Sequence, residues 1–314
     1  MPRQSDDEIR FDAEAVLEAA RAKTGLHDFG PQTFREPLGV LLRTYDANYT
    51  AHGRGKAWRR VVRLLCTRLR VTDALRRHPE IAQRPIERPW VLTGLPRSGT
   101  SALFNLLASD PAARPLRLWE TQFPEPLEEL PPGAPDPRRD AIQAYNDKGR
   151  ETHPDFAKVH DVDADTPEEC VLLQAVSLHG VHHGPEPLLE PYRSWFQAQD
   201  LRGMYAEYRG LLQLLDWQRP GERWLLKSPA HLWGLDALAE TFPDVSIVWS
   251  HRNPLLCVAS VCSMLHLLIR DRADVPKHRF GPLVLDSYAT SLERGLARRD
   301  ALAKDRFIDV HHDD

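Results

Sequence analysis

The sequence predicts an α/β fold, a parallel sheet flanked by helices, with an N-terminal helical cap over residues 1–88 and the core over 89–314. Two observations carry this. Over the second stretch, short β-type runs alternate with helical patterns. These runs are apolar throughout instead of alternating, as strands buried on both faces are. The first stretch holds only helix-forming patterns: DAEAVLEAARAKTG, FREPLGVLLRTYDANY and AWRRVVRLLCTRLRVTDALRRHP. In the last of them Val61, Leu64, Leu65, Leu69 and Leu75 line one face and arginines the other. That is an amphipathic helix packed on something larger, and His78-Pro79 ends it. A basic membrane-surface helix is disfavoured by the acidic residues on either side.

The core elements follow in order. Pro89 to Gly94 is a β-type run, and after a turn Thr100 to Ser109 has a helical pattern. Residues 124–137 hold six prolines and form a loop. Helical stretches come around 138–150, 167–182 and 200–217. Arg223 to Lys227 is the second β-type run, followed by a helix over 231–241, and Val245 to Trp249 is the third. Leu255 to Ile269 is uncharged and apolar over 15 residues. A membrane span needs roughly 20, so this stretch reads as a buried helix. Arg306 to Val310 is a last β-type run.

Composition removes several classes. With 41 basic and 45 acidic residues in 314, the formal charge is −4, which argues against a nucleic-acid-binding arm or a polybasic membrane patch. The N-terminus MPRQSDDEIRFDAEA is acidic and lacks the apolar stretch of a secretory signal. Cys66, Cys170, Cys257 and Cys262 form no CxxC pair and are too sparse for a disulfide framework. A reducing compartment, the cytoplasm, is the expected location.

Two segments carry chemistry. Gly94-Leu95-Pro96-Arg97-Ser98-Gly99-Thr100-Ser101 lies between a strand and a helix. There, backbone N–H groups converge on a helix N-terminus and favour an anion. Gly94, Gly99 and Ser101 fit the pattern GxxxxGK[ST], but Thr100 stands where the lysine should be and the cation sits inside the loop, at Arg97. Such a loop suits a phosphate-bearing ligand and is poorly equipped for Mg-ATP hydrolysis. The second segment is His251-Arg252-Asn253-Pro254 with Ser260 eight residues after Arg252. Arg252 leaves the carboxyl end of a strand, where open α/β sheets bind ligands. An arginine and a hydroxyl two helical turns on suit a phosphate monoester.

PRSGTS after one strand, LKSPAH on a second, and RNP with its serine, in that order, resemble the 3′-phosphoadenosine-5′-phosphosulfate-dependent sulfotransferases. GLPRSGTS, LWE, the proline-rich loop and KSPAHL resemble their bacterial, especially actinobacterial, branch. The resemblance spans roughly residues 90–310 and implies a P-loop sulfotransferase-like core. It implies that Pro96, Arg97, Ser98, Gly99, Thr100 and Ser101 hold the 5′-phosphosulfate of the co-substrate, and that Arg252 and Ser260 hold its 3′-phosphate. By the same resemblance Arg97 stabilises the leaving group, electrostatically since arginine keeps its proton. Lys227 then steadies the sulfuryl oxygens or donates a proton.

Two residues compete as the base. One branch of the family places a histidine two residues after the strand lysine; here that position is Pro229, and His231 lies two further on. Other branches place a glutamate twenty-odd residues after the loop cation, and Glu120 lies 23 after Arg97. Being flanked by Leu118 and Trp119, Glu120 is the favoured of the two. The implied acceptor is a small-molecule or lipid-like hydroxyl, less readily an amine, and the chemistry calls for no metal. A P-loop kinase or NTPase, or a catalytically impaired nucleotide-binding module, are the alternatives.

Weaker features remain. His179, His182, His183 and the terminal His311-His312-Asp313-Asp314 lack metal-ligand spacing. His153, Asp155, His160, Glu168 and Glu169 lie in the insert between the first two motifs, where acceptor-side groups belong, but nothing ranks them. Ala102 stands where many relatives have a tryptophan that stacks on adenine. The chain also stops at Val310-His311-His312-Asp313-Asp314, where relatives continue into a further segment, so a truncated product is expected.

Overall fold

The computed structural model describes residues 11–312 apart from 128–129, 132–133, 153–161, 181–185, 271 and 274. Five strands form one sheet: β1 (Trp90–Gly94), β2 (Ala113–Pro115), β3 (Arg223–Lys227), β4 (Ser246–His251) and β5 (Phe307–His311). All pair in parallel in the order β2-β3-β1-β4-β5. The central strands are apolar because both faces are covered: Val91, Leu92, Leu226 and Ile247 are fully buried. The parallel sheet, its flanking helices and the N-terminal helices are those the sequence predicts. β2 was not among the predicted strands. It is a three-residue edge strand, and Ala113-Arg114-Pro115 has no apolar run to betray it.

The N-terminal segment holds α1 (Ala13–Thr24), α2 (Arg35–Asn48) and α3 (Ala51–Arg77). Asp12 caps the first, its Oδ1 accepting from Ala15 N at 2.8 Å, and Gly25 ends it at φ +70°. On α3, Val61, Leu64, Leu65 and Leu69 are buried and Leu75 partly so, in one apolar cluster that also takes in β1, β3 and β4. Arg68 breaks the pattern of outward arginines. It is buried, with its guanidinium on Glu207 and on the carbonyls of Phe29 and Pro31.

Between the strands lie α4 (Thr100–Leu107), α5 (Leu118–Gln122), α6 (Pro137–Thr152), α7 (Cys170–Gln174), α8 (Tyr192–Gln197), α9 (Arg202–Gln218), α10 (Leu235–Thr241), α11 (Pro254–Ile269) and α12 (Lys277–Ala301). The predicted helix over 167–182 is reduced to one α turn and a 3-10 turn, which Leu178 closes in a left-handed conformation. The predicted 231–241 helix is split by Gly234 into a 3-10 turn (Pro229–Trp233) and α10. The 25-residue α12 has no predicted counterpart, because Gly281-Pro282 reads as a breaker yet falls within it.

A correction concerns α11. The uncharged stretch forms a helix, but only Cys257, Val261 and Ile269 on it are buried, while Leu255 and Leu256 are 77% and 57% exposed. Only one stripe of this helix meets the rest of the molecule. No helix among the described residues is long and apolar enough to cross a membrane.

Candidate functional site

The carboxyl ends of the three middle strands bring the sequence motifs together. β1 ends at Gly94 and β3 at Lys227, while β4 runs through Ser250 and His251 to Arg252. Gly94 is held at φ +143°, and a Cβ there would stand 2.4 Å from the Ser250 carbonyl oxygen, so only glycine fits between the strands. Ser98, buried, donates through Oγ to the Leu95 carbonyl at 2.7 Å, and Ser250 Oγ donates to the Ser98 carbonyl at 2.7 Å. The loop is thus tied to itself and to β4. Arg97 takes a left-handed φ of +69° and Gly99 one of +90°. Gly99 is the N-cap of α4, with no side chain on the first N–H groups of that helix. The loop geometry therefore leaves backbone donors for an anion.

On one side of this loop three predicted residues meet. Arg97 donates through Nε to Ser260 Oγ at 3.1 Å, and Arg252 donates through Nη1 to the Arg97 carbonyl at 3.0 Å. On the other side, Lys227 points to the first turn of α4. Its Nζ lies 3.4 Å from Ser101 Oγ and 5.5 Å from the centre of the Phe104 ring. Ser228, just beyond, donates its N–H to the Leu92 carbonyl, and its own carbonyl accepts from Thr93 Oγ1, which fixes the end of β3 against β1.

The partner of Lys227 is Glu169, with Oε1 at 2.7 Å from Nζ. Residues 166–169 cross the carboxyl end of β2: Leu118 N–H donates to the Thr166 carbonyl, Arg117 bridges Pro167, and Glu168 N–H donates to the Leu116 carbonyl. Glu168 is buried and turns back onto the Glu169 N–H at 2.7 Å, which leaves Glu169 facing the lysine. The sequence marked both carboxylates without ranking them; the crossing at Arg117–Pro167 ranks them. Cys170, next in the chain, is buried beside Lys227, and burial pushes its thiol up to about 12, so it stays protonated.

The two residues predicted to compete as base lie elsewhere in the chemistry of the fold. Glu120 is 1% exposed. Arg114 on β2 grips both its oxygens at 2.8 Å, and the Arg117 N–H donates to Oε2 at 2.9 Å. It anchors the start of α5. His231 is fully buried beneath the end of β3, its Nδ1 2.7 Å from the Tyr205 hydroxyl. Burial alone drives its pKa down to about 3, so it is neutral and closed to solvent.

His312 was noted in the sequence only as part of a terminal histidine-aspartate run, yet it borders the loop. Its Cδ2 lies 3.1 Å from where a Cβ on Gly99 would be, and its N–H donates to the His251 carbonyl at 2.9 Å. Its neighbour His311 stacks on His251 at 5.0 Å. Beside them Asp309 accepts two 2.6 Å bonds from Arg299 and faces His251 Nε2 at 2.6 Å, which holds its carboxyl well below the usual range. His179 is buried against Trp195, its pKa lowered by burial. His153, Asp155, His160, His182, His183, Asp313 and Asp314 lie outside the described residues.

Fold and site together define a parallel α/β protein with an anion-seating loop flanked by two cationic groups. Residues 89–314 match the model of a family described as the sulfotransferase family. The chain belongs to the sulfotransferase family. It is similar to sulfotransferase STF1 from Mycobacterium tuberculosis H37Rv, at 31% identity over 99% of this chain and 86% of that one, with a TM-score of 0.87. It is also similar to sulfotransferase STF9 from Mycobacterium avium, at 26% identity over 98% of this chain and 80% of that one, with a TM-score of 0.86. No curated protein matches it.

Proposed function

We propose that the protein moves a sulfuryl group from 3′-phosphoadenosine-5′-phosphosulfate to the hydroxyl of a small-molecule or lipid-like acceptor. The observation that carries this is the division of the loop's surroundings. Arg97, Arg252 and Ser260 gather on one side, and Lys227, Ser101 and Glu169 on the other. A donor with two separate anionic ends suits this layout; a simple triphosphate leaves one side idle. The uncapped first turn of α4 and the glycine at position 94 supply the close backbone approach that a phosphosulfate needs.

In this reading Arg252 and Ser260 take the 3′-phosphate, and Pro96 through Ser101 take the phosphosulfate. Arg97 neutralises the charge that builds on the leaving phosphate oxygen, and Lys227 and Ser101 steady the sulfuryl oxygens. Glu169 accepts the acceptor's hydroxyl proton as the new sulfur–oxygen bond forms. The old sulfur–oxygen bond breaks with its electron pair going to the phosphate oxygen. We assign the base to Glu169 because its carboxylate faces Lys227 and is partly open, whereas Glu120 is gripped by Arg114 and His231 is sealed. No step of this transfer calls for a metal. With Cys66, Cys170, Cys257 and Cys262 all free thiols, the cytoplasm is the compartment we assign.

Thermal unfolding with adenosine 3′,5′-bisphosphate tests the reading, since a ligand that binds only the folded state stabilises it by a few kcal/mol near saturation, on the order of 100 Kd. A clear upward shift that Arg252→Ala abolishes is expected, with little shift from Mg-ATP. The reverse pattern identifies a kinase or NTPase. A shift with no transfer to any acceptor identifies a nucleotide-binding module without catalysis.

A further inference from the structure

The groups that the proposed function assigns to the 3′-phosphate already have a partner, and it is Arg97. Ser260 Oγ receives the Arg97 guanidinium through Nε at 3.1 Å, and Arg252 holds the Arg97 carbonyl at 3.0 Å. Arg97 is also one of three described non-glycine residues at positive φ, +69°. A left-handed arginine costs on the order of 1 kcal/mol and persists only where its surroundings impose it. Here the surroundings are Arg252 on its carbonyl and Ser250 on the next carbonyl, that of Ser98. The leaving-group cation is therefore gripped at its backbone by one member of the 3′-phosphate pair and at its side chain by the other. Lys227 and Ser101 mark the far side of the loop, where sulfuryl transfer takes place in this reading.

We infer that Ser260 is a specificity-determining residue that parks Arg97 on the 3′-phosphate side until that phosphate arrives. The inference rests on the sulfotransferase reading above. A 3′-phosphate takes up the Ser260 hydroxyl and frees the guanidinium to turn toward the 5′-phosphosulfate. The 3′-phosphate is then required for turnover as well as for affinity. A donor lacking it, adenosine 5′-phosphosulfate, binds with Arg97 still parked and reacts slowly even when saturating. Arg252 acts as a positioning residue, keeping the loop conformation through the Arg97 carbonyl while its remaining donors face the phosphate.

Two measurements on the full chain test this. In the first, the Nε–H resonance of Arg97, assigned by its loss in Arg97→Lys, is followed by NMR. Adenosine 3′,5′-bisphosphate should shift it, adenosine 5′-monophosphate should not, and Ser260→Ala should shift it in the free protein. In the second, labelled sulfate released to water is measured at saturating donor. Ser260→Ala should raise kcat with adenosine 5′-phosphosulfate roughly tenfold, a change of about 1.4 kcal/mol in the barrier. With the 3′-phosphorylated donor it should chiefly raise KM, and Ser260→Thr, which keeps the hydroxyl, should restore the parent pattern.

Identical Arg97 shifts with the two nucleotides, or an unchanged or lowered kcat for adenosine 5′-phosphosulfate in Ser260→Ala, overturn the inference. Those results are what a serine merely bridging arginine and phosphate gives, since a hydroxyl can accept from one and donate to the other. Thermal stabilisation by adenosine 3′,5′-bisphosphate with a motionless Arg97 resonance overturns this inference alone. Absence of any stabilisation overturns the sulfotransferase reading beneath it.

Discussion

Lys227 and Glu169 meet at 2.7 Å, the lysine from the end of β3 and the glutamate from the segment that crosses the end of β2. The lysine ammonium is almost fully buried, and the glutamate side chain is 22% exposed. One member is fixed by the sheet and the other has room to exchange partners, as a base does when an acceptor hydroxyl replaces the ammonium. Glu169→Gln keeps the shape and removes the basicity. It should retain the thermal shift with adenosine 3′,5′-bisphosphate and lose sulfuryl transfer by roughly 10²–10⁴-fold. Full activity in Glu169→Gln would sink the assignment, all the more if Glu120→Gln were folded and dead.

Glu120 should behave as part of the fold. Its carboxylate and the Arg114 guanidinium form a two-pronged pair with both side chains nearly closed to solvent, at 1% and 6% exposure. Truncating one partner leaves the other charge buried and unpaired, which costs about 3–5 kcal/mol. Glu120→Ala should therefore lower Tm by many degrees. Where it still folds, it should keep its transfer rate per folded molecule. A variant of unchanged Tm that has lost only transfer would return the base role to Glu120.

How far these assignments were legible in the sequence differs from residue to residue. β1, β3, β4 and β5 were legible because strands covered on both faces need unbroken apolar runs, as in Trp90-Val91-Leu92 and Ile247-Val248-Trp249. The loop was legible because Gly94 and Gly99 stand where the backbone reaches φ +143° and +90°. The choice between Glu168 and Glu169 was not, since neighbours in the chain point opposite ways and only the long-range bridge of Arg117 to Pro167 decides which one meets Lys227. Glu120 met the spacing for a base, but its partner Arg114 sits on β2, a strand too short and polar to predict. The seclusion of His231 depends on Tyr205, 26 residues away on α9.

His231 supplies a pH dependence whose sign follows from its burial. In the fold its pKa is about 3; in the unfolded chain it is near the ordinary 6.5. Between these values the unfolded state binds the proton and the folded state does not, so stability rises with pH across that window. The protein should be at full strength from this group above pH 6.5 and should lose stability progressively as the pH falls toward 3. His231→Gln keeps an acceptor for the Tyr205 hydroxyl and removes the titration. A Tm profile flatter than the parent's between pH 6.5 and 4 is expected, and parallel profiles would show that His231 does not carry the acid sensitivity.

Gly94 is where the sheet and the site depend on the same atom. It pairs with Ser250 in the β1–β4 register at φ +143°, and an added Cβ would sit 2.4 Å from the Ser250 carbonyl oxygen. That neighbour is backbone of a central strand and cannot swing aside. Gly94→Ala must therefore push β1 from β4 or rotate the start of the loop, and either change disturbs the Ser250 Oγ bond to the Ser98 carbonyl. Because Arg252 reaches the Arg97 carbonyl from the same strand end, the anion-binding backbone is lost along with strand packing. The variant should fall in Tm and also lose its shift with adenosine 3′,5′-bisphosphate. Gly149→Ala, on α6 with open space around its Cβ position, is the control and should leave both unchanged. A Gly94→Ala protein that binds the nucleotide as tightly as the parent would show that the close approach of Gly94 to β4 does not shape the donor site.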